Sequence, residues 1–157
     1  MADFDVKQIK GNDRIIVGAG VVVLVASLLP WYGVSSGGFS ASVSGWGAGF
    51  LAILAILLSL AAAGYVAARS MGQLKEVAMP VGPAVLTLAL SGASVLLIHI
   101  RWASLPSYGG LVNAGARIGL FLALLATIVQ VAFAVMSFRA SGEPLPGRKG
   151  KTPPVAR

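Results

Sequence analysis

Three basic or titratable side chains lie near one end of the apolar part of this sequence. His99 and Arg101 end the third long apolar stretch, Arg117 begins the fourth, and Trp102 follows Arg101. Guanidinium groups donate paired hydrogen bonds to phosphate oxygens, and aromatic rings favour the headgroup level of a membrane. These four residues are therefore a candidate site for an anionic lipid headgroup or a polyprenyl phosphate. In the alternative interpretation, both arginines extend out of helix ends and His99 bonds to a loop carbonyl.

Groups that perform catalysis or ion coupling are missing from the apolar stretches. None of the five Asp and Glu residues lies within a stretch, and the chain has one His and no Cys. A metal site, an acid–base pair or a cysteine nucleophile would need such side chains close together. We therefore predict no catalytic residues, no metal and no cofactor, and a protein that is not an enzyme. Cation-coupled transport is disfavoured too, because ionisable groups inside a membrane mark such pathways.

One amide and two glycine pairs have the character of helix-packing residues. Gln130 lies inside the fourth apolar stretch, where an amide needs a hydrogen-bond partner on a neighbouring helix or on another copy of the chain. Gly45 and Gly49 have the four-residue spacing that lets helix backbones approach closely, and so do Gly115 and Gly119. We predict that these five residues pack the helices.

The composition predicts that a membrane-spanning fold positions these residues. Of 157 residues, 57% are hydrophobic and 11% are charged, whereas about a quarter of a soluble domain is charged. Four apolar stretches reach the roughly 20 residues that a helix needs to cross a bilayer, where backbone groups must bond within the segment. We predict an all-α membrane protein, an antiparallel bundle of four transmembrane helices. Their approximate ranges are 15–34, 46–68, 80–100 and 117–138.

The distribution of positive charge predicts the orientation. With the N-terminus inside, Arg101 and Arg117 are the only two of the twelve Lys and Arg residues that fall outside. Because cytoplasmic segments carry the excess of Lys and Arg, we predict that the chain lies in a bacterial plasma membrane with both termini cytoplasmic. Tryptophan rings anchor helices at the membrane surface. The predicted anchors at the outer surface are Trp31, Trp46 and Trp102.

The first outer loop has the pattern of a short β-hairpin. Phe39, Ala41 and Val43 alternate with serines, which is typical of a strand with two different faces. The preceding pair, Gly37 and Gly38, is typical of a two-residue turn. We therefore predict a small hairpin on the outer side of the membrane.

Three further segments lie outside the predicted helices. Residues 1–14 form a cytoplasmic N-terminal segment, and residues 139–157 form a basic, proline-rich cytoplasmic tail whose composition predicts disorder. The second outer loop, residues 101–116, contains proline and glycine and is predicted to be irregular. Asn113 in this loop is a candidate cap for the fourth helix.

The sequence of residues 13–50 resembles an uncharacterised group of small four-helix integral membrane proteins of actinobacteria. Those proteins combine an L-P-W-Y ending of the first helix, here at residues 29–32, with a Gly/Ser-rich loop and a G-W entry to the second helix, here Gly45 and Trp46. The resemblance implies membership of the group and assigns no functional residue. In architecture the loop is also similar to that of claudin-like four-helix proteins, although the paired loop cysteines of that pattern are missing.

These features favour a non-enzymatic, multi-pass protein that serves as an accessory or scaffolding subunit of a bacterial envelope complex. Its expected partners are the lipid bilayer and either another membrane protein or further copies of itself. The alternative is a small transporter or anionic-lipid-handling protein that uses the outer His/Arg cluster. The net charge of +7 does not indicate a nucleic-acid partner, because the positive residues are confined to short segments between apolar stretches.

Overall fold

Four long helices account for most of the described chain. The computed structural model describes residues 11–73, 81–104 and 113–144. Each helix is long and apolar enough to cross a membrane, so the predicted number of candidate spans is confirmed. The helices are α1 (Gly11–Leu28), α2 (Phe50–Ser70), α3 (Pro83–Ala103) and α4 (Ile118–Ser141).

A small antiparallel sheet lies at one end of the helices. The predicted hairpin is present as β1 (Pro30–Ser36) and β2 (Phe39–Ser44), and β3 (Asn113–Ala116) pairs with the other edge of β1. The strand order is therefore β2-β1-β3. Gly37 and Gly38 form the turn with φ of 54° and 89°, a left-handed conformation that glycine adopts without strain.

The second outer loop differs from its prediction. Its last four residues form β3 instead of irregular chain, and Asn113 belongs to this strand and not to a helix cap. Arg117 follows the strand and is the residue before α4, where its backbone N–H donates to the Trp31 carbonyl at 2.8 Å. Backbone bonding to β1 therefore replaces the side-chain cap that the sequence predicts.

The bounds of the first two helices also differ from the predicted ranges. The first helix ends at Leu28 and not at residue 34, because Pro30 has no backbone N–H to continue a helix and begins β1. The second helix begins at Phe50, since residues 45–47 form one turn of 3₁₀-helix ahead of it. Because of both differences, more of the chain belongs to the sheet and the 3₁₀ turn at one end of the bundle.

At the opposite end, the helices extend into segments that were predicted to flank them. α1 already includes Gly11, so the last part of the predicted N-terminal segment is helical, and α4 continues to Ser141 at the start of the predicted tail. The third helix begins at Pro83 instead of residue 80. The rest of the predicted N-terminal segment and tail lies outside the described residues.

Successive helices run in opposite directions. The end of α1, the start of α2, the end of α3 and the start of α4 all lie beside the sheet, at what we call the sheet end. At the other end, which we call the distal end, Ser70 of α2 donates to Asp13 of α1 at 3.2 Å. There, Glu143 after α4 accepts from the backbone N–H of Ala84 in α3 at 3.0 Å. Each helix packs mainly against two neighbours, in the ring α1–α2–α3–α4.

The interior of the bundle consists largely of small side chains, while large apolar side chains face outward. Lipid is as apolar as the side chains, so helices in a membrane associate through close packing of small residues. The observed distribution fits that environment. The buried residues include Ala26, Ala52, Ala55, Ala123, Ser91 and Ser94, and the exposed ones include Val21, Val25, Leu57, Leu96, Leu125 and Met136.

Candidate interaction surface at the sheet end

Trp31 is the central side chain of the sheet end. It is 0% exposed, and its Nε1 donates to the Ala26 carbonyl at 2.8 Å. Two glycines leave room for the indole: a Cβ on Gly45 would lie 2.7 Å from Trp31 Cε2, and one on Gly119 would lie 2.8 Å from Trp31 Cδ1. A membrane-surface anchor must reach lipid, so the structure corrects the predicted anchor role of Trp31 to that of a core residue.

Arg101, near the end of α3, bonds to the segment that joins the 3₁₀ turn to α2. Its Nε donates to the Ala48 carbonyl at 2.6 Å, and its guanidinium carbon lies 4.7 Å from the centroid of the Tyr32 ring. The Tyr32 hydroxyl in turn donates to the Arg101 carbonyl at 3.2 Å. Burial raises the pKa of the Tyr32 phenol, and the positive charge of Arg101 lowers it in part. The phenol therefore stays protonated, and so a donor, to a higher pH than an ordinary tyrosine.

The second arginine lies on the other face of β1. The guanidinium of Arg117 rests against Gly33, where a Cβ would overlap its Nε. Neighbouring residues of a strand point to opposite faces, so Arg117 above Gly33 and Arg101 beside Tyr32 are separated by β1. The structure therefore does not join the two guanidinium groups in one pocket, and the anionic-lipid site stays a prediction.

His99 and Trp102 form a separate pair on the surface of α3. His99 is exposed, and its Nδ1 lies 2.9 Å from the Val95 carbonyl of the preceding turn. Trp102 is 42% exposed and lies three residues further on, hence on the same side of the helix. Arg101, two residues after His99, points elsewhere, toward Ala48. The four predicted lipid-binding residues thus lie in three places.

Trp46 holds the 3₁₀ turn against α1. Its Nε1 donates to the Ser27 hydroxyl at 3.0 Å, and that hydroxyl donates to the Leu24 carbonyl at 2.6 Å. Trp46 is 36% exposed, so it can still reach the membrane surface. The anchor role of Trp46 and Trp102 stays a prediction.

Gln130 bonds three helices together in the middle of the bundle. Its Nε2 donates to the carbonyls of Ile16 at 3.3 Å and Ser59 at 3.1 Å, while its Oε1 accepts from the Ser59 hydroxyl at 2.8 Å. Gly20 lets α2 approach α1 closely beside this amide, since a Cβ on Gly20 would overlap Ala63. The amide therefore links α4 to α1 and α2, the helix contact that the sequence predicts for it.

The four glycines predicted to pack helices have different places in the fold. Gly119 lies in α4 and Gly45 lies in the 3₁₀ turn, and both contact Trp31. Gly49 precedes α2 with φ of 106°, which a residue with a side chain rarely adopts. Gly115 lies in β3, with no atom within 4 Å of its Cβ position. The sheet and the 3₁₀ turn include residues that were expected to begin helices, so helix-to-helix packing does not describe Gly45, Gly49 and Gly115.

β2 forms an exposed edge of the sheet. Phe39 is 86% exposed and Val43 is 44% exposed. Because the two-residue turn makes residues 36 and 39 a hydrogen-bonded pair, alternation along the ladder directs the backbone groups of Ser40 and Ser42 away from β1. These groups can therefore bond to a further strand.

Two contacts of this region were missed in the sequence. Nothing in the spacing connects Tyr32 with Arg101, since 69 residues separate them. Ser59 as the partner of Gln130 has a weak signal, because a serine inside an apolar helix is one of few available acceptors for a buried amide.

The geometry defines a four-helix protein whose helices can cross a membrane and whose small sheet caps one end. Family models, curated proteins and solved structures give no match to the chain.

Proposed function

We propose that this chain is a non-enzymatic multi-pass protein of the bacterial plasma membrane that acts as an accessory or scaffolding subunit of an envelope complex. In this proposal, β2 receives a strand of a partner protein on the outer side of the membrane. The exposed edge of β2 is the observation that carries the proposal. We also propose that the chain belongs to the actinobacterial group that residues 13–50 resemble.

Within the described residues, few of the features that usually prevent strand pairing are present at the edge of β2, and the register shift of the β1–β2 pair lies in β1, between Pro30 and Tyr32. Exposed edges are commonly blocked by charged side chains, proline, bulges or a covering loop. β2 has the sequence FSASVS, without charge or proline, and every residue of it except Ser44 is exposed. An added strand would satisfy the outward backbone groups of Ser40 and Ser42, which is the basis of recognition by strand addition.

The side chains of β2 supply a means of selecting the partner. Phe39, Ala41 and Val43 share one face of the strand, and serines occupy the other. A partner strand that alternates apolar and small polar residues would match both faces. Backbone hydrogen bonds would then supply affinity. The exposed face of β2 that carries Phe39, Ala41 and Val43 would supply specificity.

The attachment of the sheet to the helices favours binding of a partner strand. Trp31 bonds to α1, Tyr32 bonds to α3, and the backbone of Arg117 bonds to β1 at the start of α4. β2 pairs with this anchored strand, so it loses little conformational freedom when a partner strand pairs with it, and less of the interaction energy is spent on ordering.

The charge distribution supports an orientation with the sheet end outside. This can be tested directly because the chain has no cysteine. Ser40→Cys should react with a membrane-impermeant maleimide on intact cells. Ser141→Cys should react with it only after the cells have been lysed. The reverse pattern of labelling would contradict the orientation.

A second role, handling of anionic lipids or transport through the outer His/Arg cluster, has less support. Arg101 already donates to the carbonyls of Ala48 and Ser104 and covers the Tyr32 ring, so fewer of its N–H groups remain for a lipid phosphate. Replacing Arg101 and Arg117 with Gln should abolish co-purification of an anionic lipid in that alternative. In the scaffold proposal, partner recovery should persist.

Photo-crosslinking on the edge strand tests the scaffold proposal. One variant carries a photoreactive amino acid at position 40. A second variant carries it at position 102, because Trp102 is exposed at the same end of the bundle but is not part of the sheet. Ser42→Pro removes one outward N–H without removing a bond to β1, because proline is tolerated where its missing donor faces solvent. Ser42→Ala is the matched control, since it keeps the N–H and loses the hydroxyl.

The proposal predicts a discrete crosslinked polypeptide from position 40 and none from position 102. Ser42→Pro should reduce the yield at least about fivefold, the effect of one lost hydrogen bond, while Ser42→Ala should leave it unchanged. A product of twice the chain mass would identify the partner as a second copy. Absence of a product at position 40, or equal loss in both variants, would contradict strand addition.

A further inference from the structure

A second feature lies at the distal end, on the opposite side of the bundle from the sheet. A cavity of about 650 Å³ lies between the four helices where α1 and α3 begin and α2 and α4 end. Its volume is within the range of ligand sites in proteins, about 300–1,000 Å³. The cavity involves none of the residues of the sheet, so a ligand site there is independent of the proposed function.

The cavity has two charged residues of opposite sign in its lining, Asp13 and Arg69. Asp13 accepts a hydrogen bond from Ser70 at 3.2 Å. Within residues 11–73, 81–104 and 113–144, the side chain of Arg69 makes no hydrogen bond or ion pair, and its backbone carbonyl accepts from Gly72 N at 3.0 Å. The guanidinium and the carboxylate are thus not bonded to each other, and both can bind a ligand. Because the two charges cancel, the lining as a whole favours neither anions nor cations.

The lining becomes apolar away from the helix ends. Ile16 of α1 and Val66 of α2 lie about one turn deeper than Asp13 and Arg69, and both are buried. Ser137 adds a hydroxyl on the side of α4. A polar, charged mouth above an apolar floor matches a molecule with a charged head and an apolar body at the level of the membrane surface.

The start of α3 is not available as the anion site of this cavity. Helix N-termini often bind phosphate through their free N–H groups, but here Glu143 Oε2 accepts from Ala84 N at 3.0 Å and from Val85 N at 3.3 Å. Gly82 has no side chain and so lets the carboxylate reach these groups. Among the charged side chains that line the cavity, Arg69 is the one whose charge attracts an anionic group.

We propose that this cavity binds a zwitterion with a phosphate and an ammonium group, such as the headgroup of phosphatidylethanolamine. The phosphate pairs with the guanidinium of Arg69, which suits paired hydrogen bonds to phosphate oxygens. The ammonium pairs with the carboxylate of Asp13. A phospholipid and a free phosphoamine share this chemistry, and the apolar floor favours the lipid.

The test uses the full chain in nanodiscs made from equal amounts of phosphatidylethanolamine and phosphatidylglycerol, with bound lipids counted by native mass spectrometry. A second arm offers soluble O-phosphoethanolamine to the detergent-purified chain. The variants are Arg69→Gln and Asp13→Asn, which each remove one charge. Asn at position 13 can still accept the hydrogen bond of Ser70. Arg139→Gln is the matched control, because this arginine also lies near the distal end but does not line the cavity.

The wild-type chain should retain phosphatidylethanolamine about tenfold more than phosphatidylglycerol, and Arg69→Gln should lower that retention about tenfold, as for one lost charged hydrogen-bond pair. Asp13→Asn should reverse the preference toward phosphatidylglycerol, since the lining is then positive. Arg139→Gln should match wild type. Binding of O-phosphoethanolamine without selective lipid retention would support the zwitterion site and assign it to a soluble ligand.

Two results would overturn the site. One is equal retention of both lipids by the wild-type chain without binding of O-phosphoethanolamine. The other is an equal loss of binding in Arg69→Gln and Arg139→Gln, which would indicate a general effect of surface charge. The reversal in Asp13→Asn keeps the test valid even if Arg69→Gln fails to fold, because a gain of anionic lipid cannot come from unfolding.

Discussion

The two ends of the bundle are built differently. At the sheet end, Trp31 fills the space between the helix ends, and Arg101 and Tyr32 are bonded to each other and to the backbone. At the distal end, a cavity remains, and the guanidinium of Arg69 beside it makes no bond to any described residue. The sheet end therefore contributes more to stability, whereas the distal end keeps charged groups available for a ligand.

Side-chain size explains the contrast. The sheet end combines bulky aromatic rings with glycines that make room for them, so the rings interlock with the backbone. The distal end has Gly11, Ala84 and Ala140 near the corresponding ends of α1, α3 and α4, and these small side chains leave space between the helices. The same bundle therefore closes at one end and leaves a cavity at the other.

The largest expected effect is at the sheet end. Trp31→Ala removes a fully buried indole and should lower the free energy of unfolding by about 3–5 kcal/mol. Trp102→Ala, at the same end but 42% exposed, should cost less than about 1 kcal/mol. Unfolding in detergent micelles, followed by circular dichroism, measures both. Similar losses in the two variants would mean that burial in the bundle is not what Trp31 contributes.

A smaller loss is expected between the two ends. Gln130→Leu removes the bonds that join α4 to α1 and α2 and should cost about 1–2 kcal/mol, in the range for buried hydrogen bonds in helical membrane proteins. Ser59→Ala should be costly too, but the double variant should cost less than the sum, because both single variants lose the bond from the Ser59 hydroxyl to Gln130 Oε1. Additive losses would show that the two side chains act independently.

Tyr32 should make the sheet end sensitive to alkaline pH. Its folded-state pKa is raised above the ordinary value of 10.0, so the folded chain holds the proton more tightly than the unfolded chain does. The stabilisation is complete below pH 10 and is lost as the pH rises through the folded-state pKa. The unfolding midpoint of wild type should therefore fall more than that of Tyr32→Phe at alkaline pH. Parallel curves for the two chains would contradict this.

The smallest effect is expected at the distal end. Asp13→Asn keeps an acceptor for Ser70 and removes a charge from a partly exposed site, so its cost should be below about 0.5 kcal/mol. The same unfolding measurement checks it. A loss as large as that of Gln130→Leu would mean that the distal end is also a stabilising centre.

Local patterns explain which parts of the fold could be predicted. Long apolar runs predict helices, because every backbone group in a membrane needs an internal partner. Alternation after Gly37 and Gly38 predicts the hairpin, because a two-residue turn fixes the register nearby. Gln130 as a helix-bonding residue follows from its type alone, since an amide in an apolar helix requires a partner.

Contacts between distant segments explain what could not be predicted. β3 has four residues, NAGA, without an alternating pattern, and it becomes a strand through pairing with β1, about 80 residues earlier along the chain. Burial of Trp31 depends on Gly45 and Gly119, which come from two other parts of the chain. The separation of Arg101 from Arg117 depends on β1 lying between them. None of these has a local signal in sequence.

Native mass spectrometry of the protein, extracted gently from its own membrane, tests the central claim that β2 receives a partner strand. Wild type and Ser42→Ala should each carry a second polypeptide, and Ser42→Pro should carry at least about fivefold less of it, as for one lost hydrogen bond, while keeping its unfolding midpoint. A bare monomer in wild type, or a second polypeptide that Ser42→Pro leaves in place, would contradict recognition through the edge of the sheet.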